Sequence, residues 1–86
     1  MYEEKFVVDN AEGLHARPAS KLVELAGKYE SKVEVVYKGK AVNAKSILAI
    51  MGAGIYSGSE VLLRVEGPDE QAASAELSEY MSNLPD

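Results

Sequence analysis

Eighty-six residues with nine lysines and arginines, fourteen aspartates and glutamates and a formal net charge of −5 permit one compact domain, 1–86. They leave no room for a catalytic domain beside a separate substrate domain. The absence of cysteine excludes a disulfide framework, a cysteine-based zinc site and a thiol nucleophile. The acidic balance, with one phenylalanine and no lysine- or arginine-dense stripe, argues against nucleic acid and leaves proteins as the expected partners.

Met1-Tyr2-Glu3-Glu4-Lys5 lacks the basic region and apolar run of a secretory signal, and no stretch reaches the length of a membrane span. The expectation is a cytoplasmic protein without membrane insertion. Lys5-Phe6-Val7-Val8 is a short β-prone run, followed by the turn formers Asp9-Asn10-Ala11-Glu12-Gly13. Leu22, Leu25, Ala26 and Tyr29 then recur at helical spacing, with Lys21, Glu24 and Lys28 on the polar side. This predicts an amphipathic helix from about Ala16 to Ala26, with Pro18 in its first turn and Gly27 as its stop.

Lys32-Val33-Glu34-Val35-Val36-Tyr37 alternates as a half-buried strand, and Lys38-Gly39 can reverse it into Lys40-Ala41-Val42-Asn43, giving a hairpin. Ser46 precedes Ile47-Leu48-Ala49-Ile50-Met51, read as a short capped helix with an exposed apolar face and ended by Gly52-Ala53-Gly54. Val61 to Val65 forms another strand. A final helix from about Asp69 to Ser82 sets Ala73, Leu77, Tyr80, Met81 and Leu84 on one face. The order β-α-β-β-α-β-α predicts an α+β fold in which helices cover one face of a small antiparallel sheet.

Gly13-Leu14-His15-Ala16-Arg17-Pro18-Ala19 holds the only histidine, at a helix start where backbone N–H groups lack intrahelical partners and the dipole favours an anion. A neutral imidazole is a nucleophile near neutral pH, and the guanidinium of Arg17 can hold phosphate oxygens through paired hydrogen bonds. The segment suits reversible phosphoryl transfer; the plainer alternative is a histidine that caps a helix or fills a loop.

Other constellations fail. A single histidine gives neither a metal triad nor a serine–histidine–acid set beyond His15 itself. Gly52-Ala53-Gly54-Ile55-Tyr56-Ser57-Gly58 departs from a dinucleotide fingerprint in its last spacing and reads as a turn. No Walker-type loop is present, so nothing suggests ATP; the phosphoryl group would come from another protein, and no cofactor or metal is expected.

Ser46 has two readings: an N-cap, or a site of regulatory phosphorylation where added charge would suit the helix dipole. Ile47, Leu48 and Met51 are either a satellite core or a partner surface.

These two segments, Gly13 to Ala19 and Val42-Asn43-Ala44-Lys45-Ser46-Ile47-Leu48 with Met51 and Gly54-Ile55, resemble the HPr family. Its members are the histidine-containing phosphocarriers of the bacterial phosphoenolpyruvate:sugar phosphotransferase system. The resemblance covers essentially the whole chain. It implies an open-faced β-sandwich, with a four-stranded antiparallel sheet in the order 1-4-2-3 and three helices on one face.

It further implies a monomeric carrier, not an enzyme, whose His15 takes the phosphoryl group on Nδ1 from enzyme I and passes it to EIIA domains of sugar permeases. Arg17 and the backbone N–H groups of Ala16 and Arg17 would attend the phosphate. Ser46 would match the target of HPr kinase/phosphorylase, whose product engages a catabolite-control transcription factor. Two alternatives stand beside this: a nitrogen-branch regulatory paralogue, and a non-catalytic protein-binding module using the Ile47–Met51 patch. Leu48 replaces a common methionine, Gly52-Ala53 a bulkier pair and Glu12 a small polar residue, while Glu24 adds an acid. These differences bear on partner affinity rather than on the chemistry.

Overall fold

A computed structural model describes residues 1–84. In chain order the elements are β1 (Tyr2–Val7), α1 (Ala16–Gly27), β2 (Lys32–Tyr37), β3 (Lys40–Asn43), α2 (Ile47–Gly52), β4 (Glu60–Glu66) and α3 (Glu70–Ser82). The four strands form one antiparallel sheet in the order β1-β4-β2-β3, as the resemblance implied.

The period-2 alternation in β2 and β4 divides the sheet into two faces. Phe6, Val33, Val35, Val42, Val61, Leu63 and Val65 are buried on one face, and the register sets Phe6 against Val61, Val35 against Leu63 and Val33 against Val65. Leu22, Leu25 and Ala26 of α1, Ile50 of α2 and Ala73, Leu77 and Met81 of α3 complete this core. Buried apolar area of this kind stabilises by about 25 cal/mol per Å². The opposite face carries Glu3, Lys5, Glu34 and Arg64. There the Arg64 guanidinium spans the sheet, 3.0 Å from a Glu3 oxygen and 3.3 Å from one of Glu34.

Lys38 (φ 52°) and Gly39 (φ 78°) make the two-residue reversal between β2 and β3, the left-handed pair that a tight hairpin requires. Several element ends differ from the sequence expectation. β1 begins at Tyr2 rather than Lys5: the charged Glu3-Glu4-Lys5 stretch pairs with β4 through its backbone as an edge strand and needs no apolar alternation there. Val8, expected inside the strand, lies just past its end but is fully buried.

Gly27 is the last residue of α1 rather than its stop, and the helix is capped at Lys28, whose N–H donates to the Leu25 carbonyl at 3.2 Å, while the Tyr29 N–H donates to that of Ala26 at 3.3 Å. Asp69 is the N-cap of α3 rather than its first residue. Its carboxylate instead accepts the backbone N–H groups of Glu30 and Ser31, each at 2.9 Å, and the Ser31 hydroxyl, tying the β4–α3 corner to the start of β2. The Ser31 hydroxyl and then the Glu30 amide hold the Asp69 carboxyl below the usual carboxylate range. No helix among the described residues is long and apolar enough to cross a membrane.

Candidate functional site

The loop from β1 to α1 is folded tightly before it reaches His15. The Asn10 side-chain amide donates to the Gly13 carbonyl at 2.9 Å, and the Gly13 N–H returns to the Asn10 carbonyl at 3.3 Å. Gly13 has φ +67°, and a Cβ on it would stand 2.6 Å from the Ile55 carbonyl oxygen and 2.7 Å from the Tyr56 Cα. Only glycine lets these two backbones lie so close. Leu14, the next residue, is buried and donates its N–H to the Ile55 carbonyl at 2.9 Å. The clasp therefore fixes the chain immediately before His15, the first exposed residue after it.

His15 occupies the N-cap of α1 in extended backbone conformation (φ −80°, ψ −171°), and its side chain makes no capping hydrogen bond. The first intrahelical bond runs from the Ala19 N–H to the His15 carbonyl at 2.8 Å. The N–H groups of Ala16 and Arg17 precede it, and Pro18 has none to offer. An ordinary capping residue would spend its side chain on these donors; here the imidazole makes no such bond, and His15, Ala16 and Arg17 are all exposed residues. No carboxylate among the described residues pairs with Arg17. Pro18 and Ala19 are buried, and the Tyr80 hydroxyl donates to the Pro18 carbonyl at 3.2 Å, anchoring the first turn of α1 to α3.

Beside His15 lies a recess of about 300 Å³ lined by Glu12, Leu14, His15, Met51, Gly54, Ile55 and Tyr56. The structure thus brings His15 and Met51 together. Arg17, Ser46, Ile47 and Leu48 lie outside that lining. Ser46 caps α2 at the end away from Met51: its Oγ accepts the Ala49 N–H at 3.2 Å and its carbonyl accepts the Ile50 N–H at 3.1 Å.

Within α2 only Ile50 is fully buried; Ile47 is half-buried against the core, whereas Leu48 is 82% and Met51 45% exposed. The open apolar surface is therefore Leu48 and Met51. Glu24 pairs with Lys21 at 3.3 Å on the outer side of α1, and Gly52 faces open space. Gly52 is the last residue of α2, and residues 53–58 turn the chain towards β4, with Gly54 at φ +69° and Gly58 at φ +91°. In the sequence Tyr56 stands only as part of a glycine-rich turn and not as a site residue; the signal that finds it is tertiary, since it meets the His15 loop through the Gly13 clasp. No group of three or more metal-ligating side chains occurs among the described residues.

A profile of the family described as "PTS HPr component phosphorylation site" matches residues 2–83. The chain belongs to the HPr family. It is 39% identical over 84 residues to the phosphocarrier protein HPr of Buchnera aphidicola subsp. Acyrthosiphon pisum (strain APS), covering 98% of this chain and 99% of that one. Among solved structures, an HPr from Thermoanaerobacter tengcongensis superposes with TM-score 0.89 at 42% identity, over 94% of this chain and 91% of the other. The catabolite repression protein Crh of Bacillus subtilis, whose crystals hold an intertwined, swapped dimer, superposes with TM-score 0.75 at 39% identity, over 99% and 100% of the two chains. Both HPr phosphocarriers and a regulatory relative thus share this fold.

Proposed function

We propose that this HPr-family chain carries a phosphoryl group on His15, taking it from phosphorylated enzyme I and delivering it to EIIA domains of sugar permeases. The observation that supports this reading is the His15 imidazole left unspent at an N-cap, with the Ala16 and Arg17 N–H groups ahead of the first helical bond. In the transfer, the lone pair of Nδ1 attacks phosphorus while the donor's bond to phosphorus breaks and its electron pair stays with the donor; the proton stays on Nε2. The phosphate oxygens then meet the two backbone N–H groups at the positive end of α1 and the Arg17 guanidinium. The reverse step hands the phosphoryl group to the next acceptor and returns His15 unchanged, so the chain acts as a consumed and regenerated carrier rather than as an enzyme.

Ser46 is the regulatory position in this reading. HPr kinase/phosphorylase would phosphorylate it, and the product would engage a catabolite-control transcription factor. Its Oγ already faces the Ala49 N–H at the start of α2, where a phosphate suits the local field. Leu48 and Met51 supply the apolar contact for partners, and the carrier works as a cytoplasmic monomer. Incubation with phosphoenolpyruvate and enzyme I, followed by mass and acid-lability analysis, tests the central step. The expected product bears one acid-labile phosphoryl group; a chain that stays unmodified beside an active control carrier refutes the reading.

A further inference from the structure

Tyr56 is 71% exposed, yet its backbone is held on every side. Its N–H donates to the Ser59 hydroxyl at 3.1 Å and its carbonyl accepts the Ser59 N–H at 3.0 Å. Its Cα lies against Gly13, and its ring passes over the open face of Gly54, 3.7 Å from where a Cβ there would stand. The side chain fills no core position. A large ring kept in water on a fixed backbone, on the rim of the recess it shares with His15 and Met51, calls for an explanation that folding does not give.

We infer that Tyr56 is an affinity-determining anchor for the protein that donates the phosphoryl group. The inference rests on the phosphocarrier reading of His15. Transfer requires the donor's reacting group to approach the imidazole within about 3–3.5 Å. A protein that does so across a recess of this size must cover the recess rim, where Tyr56, 71% exposed against 45% for Met51, is the large side chain most open to water. Because its backbone is already fixed, docking orders little beyond two side-chain torsions, and tyrosines in this situation recur among the residues that dominate binding. The occupant of the recess rim is therefore the donor, presenting an apolar hollow for the ring beside its own phosphorylated group.

The test compares wild type, Tyr56→Ala and Tyr56→Phe in phosphorylation by enzyme I at varied carrier concentration. Alongside it, each unphosphorylated carrier is titrated into enzyme I by calorimetry. Tyr56→Ala should raise KM and Kd together, roughly tenfold or more, leave the rate at saturation within a factor of about two, and keep the wild-type melting temperature. Tyr56→Phe should stay close to wild type, since the ring carries the contact. If wild type is phosphorylated and Tyr56→Ala has unchanged KM and Kd, or loses kcat alone, the anchor is overturned while the carrier stands. If wild type takes no phosphate, the carrier reading fails and the anchor with it.

Discussion

Replacing Gly13 by alanine tests whether the clasp under His15 is as tight as its geometry indicates. Two separate penalties apply. An L-residue held at φ +67° costs about 1–2 kcal/mol. The new Cβ would also stand 2.6–2.8 Å from the Ile55 carbonyl oxygen and the Tyr56 Cα and carbonyl carbon, all backbone atoms that cannot swing away, and forced overpacking of this kind costs about 1–3 kcal/mol. Together these give about 2–5 kcal/mol, a large share of the about 5–15 kcal/mol that holds a typical domain.

Gly39 supplies the control. It has a similar φ, +78°, but nothing lies within 4 Å of its would-be Cβ, so Gly39→Ala should carry the dihedral penalty alone. Urea unfolding of both variants separates the terms. Gly13→Ala should lose at least about 1 kcal/mol more than Gly39→Ala and melt several degrees lower, at about 4–8 °C per kcal/mol for a chain of this size. It should also phosphorylate more slowly at temperatures where it remains folded, because the Leu14 to Ile55 bond that presents His15 is displaced. Equal stabilities for the two variants would refute the clasp.

His15→Ala should unfold at the wild-type urea midpoint, since the side chain is exposed and caps nothing, yet accept no acid-labile phosphoryl group from enzyme I. Arg17→Ala should leave transfer possible but slower by about one to two decades, the equivalent of a charge-assisted contact of about 1.5–3 kcal/mol; an unchanged single-turnover rate would remove Arg17 from the site. Ser46→Asp should keep the fold, because aspartate caps helices as well as serine does, while raising the apparent KM for enzyme I, with the defect relieved by salt; indistinguishable kinetics at low salt would leave Ser46 as a cap alone. The carboxyl of Glu76 is held low first by its bond to Lys28 and then by that to Tyr29, and that of Asp69 first by the Ser31 hydroxyl. Carboxyls depressed in the folded state contribute stability that is complete above their unfolded pKa, about 4, and is lost as pH falls through the folded values. Acid titration of stability should therefore flatten below about pH 4 in Asp69→Asn, and an acid limb identical to wild type would argue against that linkage.

The sequence displayed its fold well where burial alone decides structure. The alternation of Val33, Val35, Val61, Leu63 and Val65 and the helical spacing of Leu22, Leu25 and Ala26 encode which faces are buried, and those residues form the core. Periodicity carried no sign of strand order, since the pairing of β4 between β1 and β2 joins residues such as Phe6 and Val61 that no local pattern links; the family resemblance supplied it. The charged start of β1 escaped notice because an edge strand holds its place by backbone bonds. Gly27 reads as a stop because glycine after a helix usually turns left-handed, whereas here Gly27 is itself helical and Lys28 after it keeps right-handed dihedrals.

At the site, His15, Arg17 and Pro18 were visible as a motif, and Ser46 as a cap. What no local pattern could display is that Gly13 presses against Tyr56, which places an aromatic ring from the far side of the chain beside the histidine. The resemblance pointed to Gly54-Ile55, one residue short of it.

The claim that His15 bears the phosphoryl group within reach of the first turn of α1 is tested most directly by NMR of isotope-labelled chain, recorded while catalytic enzyme I and phosphoenolpyruvate keep it phosphorylated. The account predicts phosphorus coupled to Nδ1 of His15, with the amide resonances of Ala16 and Arg17 shifting as the phosphate arrives and returning when it is discharged. Phosphorus coupled to any other atom, or a phosphorylated His15 that leaves those two amides unmoved, would contradict it.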